Sequence, residues 1–393
     1  MIRVAVVGTG NISALHIDAF LAFPSRCKIV ALCDIVPAKC EDKQKRFNIE
    51  GAKIFNSHTD MLSSMSGGID LVAVCTPPHT HTVISIDCLK AGCNVIVEKP
   101  MASSLEECDA IIRAERESGK LVSSIAQNRF RDQVSVLKRV LDNKMIGRVL
   151  HAQVDSFWWR GHQYHDLWWR GTWASEGGGC TLNHAVHHID MLIWMMGMPD
   201  KVISVLSNAA HNNSELEDIS VAILQYPQGS LAQITSSIIH HGEEQQLIFQ
   251  GERARVSAPW RVCANKAAEN AFPMKEHDVE IEKELNDFMT NCQKLPYTVH
   301  KGQIEDVLSA LERGVAPAIG SLDGRNTIEL ITAVYKSGSV GHAVNLPIEK
   351  DDVFYTSKGI VDSMPHFYEK KKSVQSFPSV VSSGADVEKY IHI

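Results

Sequence analysis

The sequence predicts an α/β protein: an N-terminal doubly wound parallel sheet, then an α+β domain built on a large, open, mostly antiparallel sheet. Three observations carry this. Strand-like and helix-like runs alternate from Ile2 to Ser124. A glycine turn, Gly8-Thr9-Gly10, stands at the exit of the first apolar run. From about Asp132 the pattern changes to short runs with a polar residue at every second place, as in a sheet with one buried face. The expected divisions are 1–125, 126–355 and a tail over 356–393.

The first half reads in order. Ile2–Val7 is a strand, and a helical pattern runs from Ala14 to Phe23. Strand, glycine turn and helix together make the setting of a dinucleotide site, although Gly-x-Gly alone is often only a turn. Gly8 permits the turn, and Gly10 lets a pyrophosphate approach the backbone at Asn11 and Ile12, where the helix amino end offers free N–H groups. Ser13 is small enough for close packing of helix on strand. The next strand, Lys28–Cys33, ends in Asp34, close to the spacing of a ribose-binding carboxylate. Such a carboxylate accepts both adenosine-ribose hydroxyls and repels a 2′-phosphate. No arginine stands beside it, so NAD is favoured over NADP.

Helix Pro37–Phe47, strand Lys53–Phe55, helix Thr59–Ser64 and strand Ile69–Cys75 follow. The last of these exits through Thr76-Pro77-Pro78-His79-Thr80-His81 into the helix His81–Lys90. Thr76, Pro77 and His81 fall over the same sheet edge as the glycine turn; His81 is expected to face the cofactor and His79 the solvent. Val95–Val97 reads as a strand buried on both faces, and Glu98-Lys99-Pro100 sits at its carboxyl end, where open α/β sheets bind ligands. A salt-bridged strand exit is the alternative. Helix Ser104–Ser118 and strand Leu121–Ser124 complete the alternation.

The second half opens with helix Gln133–Asn143 and strand Val149–Trp159. Later strands are expected at Lys201–Ser207, Ile219–Tyr226, Ser230–Ser237, Gln245–Phe249 and Arg253–Ser257, with Pro227-Gln228-Gly229 as a turn. An open sheet of this size needs a cover, and a homodimer or homotetramer would supply it. Trp158, Trp159, Trp168, Trp169 and Trp173 crowd one segment, interleaved with Arg160, His162, Tyr164, His165, Asp166 and Arg170. They suit a loop tucked onto the core, or a carbohydrate face stacked on indole with hydroxyls bound by polar neighbours. Gly177-Gly178-Gly179 is costly to order and implies a backbone passing close to something. On a helix following it, Asn183, His187 and Asp190 would share one face, with His184 and His188 beside it. No acidic or thiol ligand accompanies these histidines, so a metal site is not expected and a general base is. His300–Arg313 and Asn326–Ser337 read as amphipathic helices.

Net charge of −7 with no basic block beyond Lys370–Lys372 disfavours nucleic acid and membrane surfaces as partners. The ten cysteines are scattered without a Cys-x-x-Cys pair, which suits free buried thiols in a reducing compartment. No signal pattern precedes Ile2 and no apolar run is long enough to span a bilayer, so a cytoplasmic location is expected.

With these residues assembled, the chain resembles the glucose–fructose oxidoreductase / inositol dehydrogenase (Gfo/Idh/MocA) family from about Ile2 to Tyr355. The marks are Gly8-x-Gly10-x-x-Ser13-x-x-His16, Asp34, Thr76-Pro77-x-x-x-His81, Glu98-Lys99-Pro100, Trp169-Arg170-Gly171-Thr172-Trp173, Gly177–Asp190 and His300-x-x-Gln303. The resemblance implies a Rossmann domain, a C-terminal α+β domain that mediates oligomers, and dehydrogenation of a secondary hydroxyl of a sugar, glycoside or cyclic polyol with NAD. It implies that Lys99 holds the reacting hydroxyl and that His187 is the general base. It places Glu98 at the nicotinamide ribose, and Trp169 and Arg170 at the nicotinamide and substrate end, with Asn128 among the substrate contacts. Asn183 stands where inositol-dehydrogenase-like members have Asp; an amide there orients the histidine or binds substrate instead of raising its basicity. Two other readings stay open: transient oxidation that labilises a glycosidic bond without net redox, and a sensor that binds NAD or sugar without catalysis.

Overall fold

The computed structural model describes residues 1–375 and 377. Its first sheet has six parallel strands in the order β3-β2-β1-β4-β5-β6, formed by β1 (Ile2–Val7), β2 (Cys27–Cys33), β3 (Lys53–Phe55), β4 (Leu71–Val74), β5 (Asn94–Val97) and β6 (Val122–Ser124). This is the dinucleotide-binding order, in which the strand sequence reverses between β1 and β4. Helices α1 (Ser13–Leu21), α2 (Pro37–Arg46), α3 (His58–Ser64), α4 (His81–Lys90) and α5 (Leu105–Ser118) connect the strands. β4 and β5 are buried along their apolar runs, which is why they read as unbroken β-branched stretches.

The second sheet has eight strands, ordered β13-β12-β11-β7-β10-β9-β8-β16. They are β7 (Val149–Phe157), β8 (Lys201–Ser207), β9 (Ile219–Gln225), β10 (Leu231–Ser237), β11 (Gln245–Gly251), β12 (Arg255–Ala258), β13 (Arg261–Cys263) and β16 (Val344–Asn345). All neighbours are antiparallel except β7 and β10. A separate hairpin, β14 (Asn265–Ala267) and β15 (Pro273–His277), and the helices α6 (Asp132–Asp142), α7 (Trp173–Glu176), α8 (Cys180–Asn183), α9 (Val186–Met196), α10 (Val279–Asn291), α11 (Val299–Arg313), α12 (Ser321–Val340) and α13 (Ser357–Ser363) complete the chain. No helix among the described residues is long and apolar enough to cross a membrane. All ten cysteines are free thiols, eight of them buried.

Two expected divisions need correction. Helix α11, inside the 126–355 stretch, packs on the first sheet: Ile304, Val307 and Leu308 share a core with Val4, Val6, Ile17 and Phe20. Arg26 ties to Glu305 and Glu312 of the same helix at 3.0 and 2.8 Å. Gln303 is buried there, accepting from the Ala126 N–H and donating to the Ser124 carbonyl. The second correction concerns the tail. Its first residues form α13, and Ile360 and Met364 belong to the main core. The stretch after residue 377 lies outside the described residues.

Candidate active site

The carboxyl ends of β1, β2, β4 and β5 open onto one edge. At β1, Gly8 adopts φ +88°, and a Cβ there would lie 2.7 Å from the Cys75 carbonyl group. Any other residue would push β1 away from β4. A Cβ on Gly10 would meet no protein atom within 4 Å, so the space above it is open. No side chain caps the amino end of α1. Asp34 at the end of β2 accepts from the Thr9 and Val36 N–H groups at 2.8 and 2.9 Å, which fixes the carboxylate beside the glycine turn. A dinucleotide fits these residues: an open glycine turn, an uncapped helix end and a carboxylate fixed beside that turn.

His81 does not face this edge. It is fully buried, its ring between the carbonyl oxygens of Pro100 and Thr76, each 2.8 Å from a ring nitrogen. It joins the exits of β4 and β5, and burial pulls its pKa below the ordinary range. The expectation of a cofactor-facing His81 is therefore corrected; His79 is exposed, as its loop position suggested.

Glu98 is also buried, at 4% exposure. Its Oε1 lies 2.7 Å from His16 Nε2 and 3.8 Å from His300 Nε2, and Oε2 accepts from the Lys99 N–H. Burial alone would raise this carboxyl group; the hydrogen bond with His16 and the nearby His300 imidazole outweigh it and hold Glu98 well below its usual range. Helices α1 and α11 thus deliver two imidazoles to one strand end. This embedding surrounds the carboxylate with His16, His300 and the Lys99 N–H, where the family resemblance implied a contact with the nicotinamide ribose.

Lys99, one residue on, turns toward the second domain. Its ammonium donates to the Asn183 carbonyl at 3.3 Å. Burial lowers its pKa, Glu98 opposes that, and Arg170 and Arg160 add repulsion. Lys99, Pro100 and Met101 line one cavity with His187, Val186 and Asp190 of α9, Ser124–Ala126 of the first domain, and Gly324, Thr327 and Ile328 of α12. Burial and then Lys99 push the His187 imidazole well below its ordinary range, so it stands neutral beside an ammonium.

The segment before His187 differs from the single helix expected. Helix α8 stops at Asn183, the chain breaks at His184, and α9 starts at Val186. The Asn183 amide nitrogen is spent on the Gly178 carbonyl at 2.6 Å. Its side chain braces the glycine run, and its main chain holds Lys99. The close approach implied by that run is real, but the neighbours are protein. A Cβ on Gly178 would lie 2.3 Å from Tyr335 Oη, and one on Gly179 2.0 Å from the Glu217 carbonyl. Glu217 then accepts from Tyr335 and from the N–H groups of Gly179 and Thr181. Burial raises Glu217 to about 7.

Asp190 pairs with Arg129, two hydrogen bonds at 2.8 and 2.7 Å, and Arg129 reaches on to Asp323 at 2.9 Å. This bidentate clamp fixes α9, and with it His187, against α12. Arg129 and Glu217 carry no local sequence signal; only the neighbouring Asp190 and the glycine run pointed to their surroundings. Asn128, beside Arg129, accepts from Arg131 at 3.0 Å.

The tryptophans divide. Trp158 and Trp173 are buried, Trp159 and Trp168 are each 45% exposed, and Trp169 is intermediate. The Arg170 guanidinium lies 4.0 Å from the Trp169 ring centre and 4.1 Å from that of Tyr164, and bonds Glu176 at 2.5 Å. Tyr164 Oη stands 3.3 Å from His184 Nε2. His188 is fully buried with neither ring nitrogen bonded, and burial lowers it to about 4.

Comparison with known proteins decides the family. Residues 2–125 match the model of the oxidoreductase family with an NAD-binding Rossmann fold, and residues 134–257 match the GFO/IDH/MocA C-terminal domain. The chain belongs to the Gfo/Idh/MocA family. Among curated relatives of this Gfo/Idh/MocA protein, 2,7-anhydro-N-acetylneuraminate hydratase of Mediterraneibacter gnavus is 25% identical over 263 residues, 66% of this chain and 67% of that one. Inositol 2-dehydrogenase of Salmonella typhimurium is 23% identical over 356 residues, 89% of this chain and 98% of that one. The WlbA dehydrogenase of Bordetella pertussis, solved with NADH and UDP-GlcNAcA, superposes with a TM-score of 0.74 at 27% identity, covering 88% of this chain and 99% of that one. The family is one of NAD-dependent oxidoreductases, and NAD is the cofactor that the first domain is built to hold.

Proposed function

We propose that this protein oxidises a secondary hydroxyl of a sugar, glycoside or cyclic polyol with NAD, and reduces the ketone in reverse. The observation that carries the reading is the meeting of Lys99, at the carboxyl end of β5 on the sheet edge that also bears the glycine turn, with His187 of α9: the two line one small cavity, and the Lys99 charge acts on the His187 imidazole. NAD held at the glycine turn and Asp34 would supply the acceptor for the hydride of the carbinol carbon. The chain's residues handle the proton. Lys99 donates a hydrogen bond to the hydroxyl oxygen and stabilises the charge developing on it. His187, neutral through burial, takes the hydroxyl proton. In the same reading Gly8, Gly10, Asn11, Ile12, Asp34, Thr76 and Pro77 hold the dinucleotide. Trp169, Arg170 and Asn128 border the substrate, and Asn183 acts through Lys99.

The test is incubation with NAD and a panel of sugars, glycosides, nucleotide sugars and inositols, following NADH in solution and on the protein. Formation of NADH with one class supports the reading; none in either place across the panel sinks it. Similarity to the hydratase favours a second reading, transient oxidation without net redox. Loss of substrate without NADH accumulation would select it. A homo-oligomer and a cytoplasmic setting belong to the same proposal.

A further inference from the structure

Beyond α13, residues 364–374 stay on the molecule. They run back across the tryptophan loop and bind it at every few residues. The Pro365 carbonyl accepts from Trp173 Nε1 at 3.1 Å. The Phe367 and Tyr368 N–H groups donate to the Glu215 and Ser214 carbonyls. Lys370 Nζ donates to the Leu167 carbonyl at 2.6 Å and also to that of Arg170. Lys372 pairs with Asp166 at 2.6 Å. Asn213 bridges both sides: its amide nitrogen reaches Asp166 at 2.9 Å and the Lys372 carbonyl at 3.0 Å, and its oxygen accepts from the Lys371 and Lys372 N–H groups. Val374 closes the series, donating to the Asp166 carbonyl at 2.7 Å and accepting from Trp168 at 2.9 Å.

The loop needs such support. Between β7 and α7 it holds only one short 3-10 turn, His162–Asp166, so its carbonyl groups have few partners within the loop itself. It also carries Arg170, whose guanidinium is stacked on Trp169 and Tyr164 and whose charge acts on Lys99 after that of Glu98. Lys370 grips the main chain at Arg170 itself.

We infer that residues 364–374 are a strap that sets the tryptophan loop for substrate, with Lys370 as its positioning residue. What the loop serves rests on the dehydrogenase reading; the strap itself does not. Amide hydrogen exchange over residues 162–173 and steady-state kinetics test the two parts separately, in the full chain with Lys370→Met and Lys370→Arg. Lys370→Met speeds exchange in the loop. It raises the KM for sugar on the order of tenfold, the scale of one charge-assisted hydrogen bond, and leaves NAD affinity without sugar within about twofold. Lys370→Arg restores part of both. Lys372→Met, which removes the ion pair with Asp166 and leaves both Lys370 contacts in place, moves exchange the same way by less and covers the case of a Lys370 variant that does not fold. Unchanged exchange in these variants overturns the strap. Faster exchange with unchanged sugar KM overturns its service to substrate. If the wild type turns over nothing, the dehydrogenase reading fails, and exchange still decides the strap.

Discussion

At the scale of residues, the two groups proposed to carry the chemistry stand out in the sequence and their partners do not. Lys99 stands out because two charges follow a buried β-branched strand, and His187 because a histidine-rich helix follows three glycines. The structure brings both to one cavity. His81 was misread, and the Asn183 amide braces the glycine run, for a common reason: a polar side chain near a helix end serves backbone carbonyls as readily as a ligand, and the sequence does not say which. Replacement of Lys99 by Ala should lower kcat by at least about a hundredfold, the cost of one developing-charge donor, while NAD still binds. An unchanged rate would refute its role. The pH profile of kcat follows from the displaced groups. His187 is pushed well below its ordinary 6.5, so the base stays competent through mildly acidic pH, and the acid limb falls below 6.5. Lys99 is pulled below 10.5, so its protonated form, and activity with it, is lost before 10.5 as pH rises. An acid limb above 6.5 that disappears in His187→Gln would contradict the neutral base.

Elements show where periodicity stops informing. The sequence located α11 but not the sheet it covers, because an amphipathic stripe specifies an apolar partner without naming it. The consequence is the cluster of His16, Glu98 and His300 beneath Lys99, built from α1, β5 and α11. His16→Ala leaves Glu98 buried without its shorter partner, and unfolding stability should fall by about 3 kcal/mol at neutral pH. The sign with pH is fixed. Burial opposes the His16 charge, but Cys75 and then Glu98 raise its pKa to about 10. Its contribution is full below 6.5, and is lost as pH rises through about 10. Denaturant titrations of both forms at several pH values check this; a gap that widens toward alkaline pH would refute the ion pair. The strap, by contrast, left no periodic trace at all. Its hold on the loop is a series of main-chain and lysine contacts that no sequence spacing encodes.

For the whole molecule, the change from unbroken apolar strands to alternating ones was enough to give both sheets, and the alternation has a visible result. Ile203, Val205, Val221 and Ile223 of β8 and β9 stand on the open face at 45–70% exposure, paired across the strands. An apolar square of this kind on an uncovered sheet calls for a partner surface, and a second copy is the proposal. Light scattering should give a dimer or tetramer, and Val205→Lys with Ile223→Lys should shift it to monomer; a monomeric wild type would end this proposal.

The central claim is that an ammonium and an imidazole from separate domains act on one hydroxyl beside NAD. Rapid mixing of the NAD-loaded protein with an active sugar, following NADH in a single turnover, tests it most directly. The account predicts a fast NADH burst in the wild type that is absent from both Lys99→Ala and His187→Ala although each still binds NAD. A full-amplitude burst at the wild-type rate in either variant would contradict it.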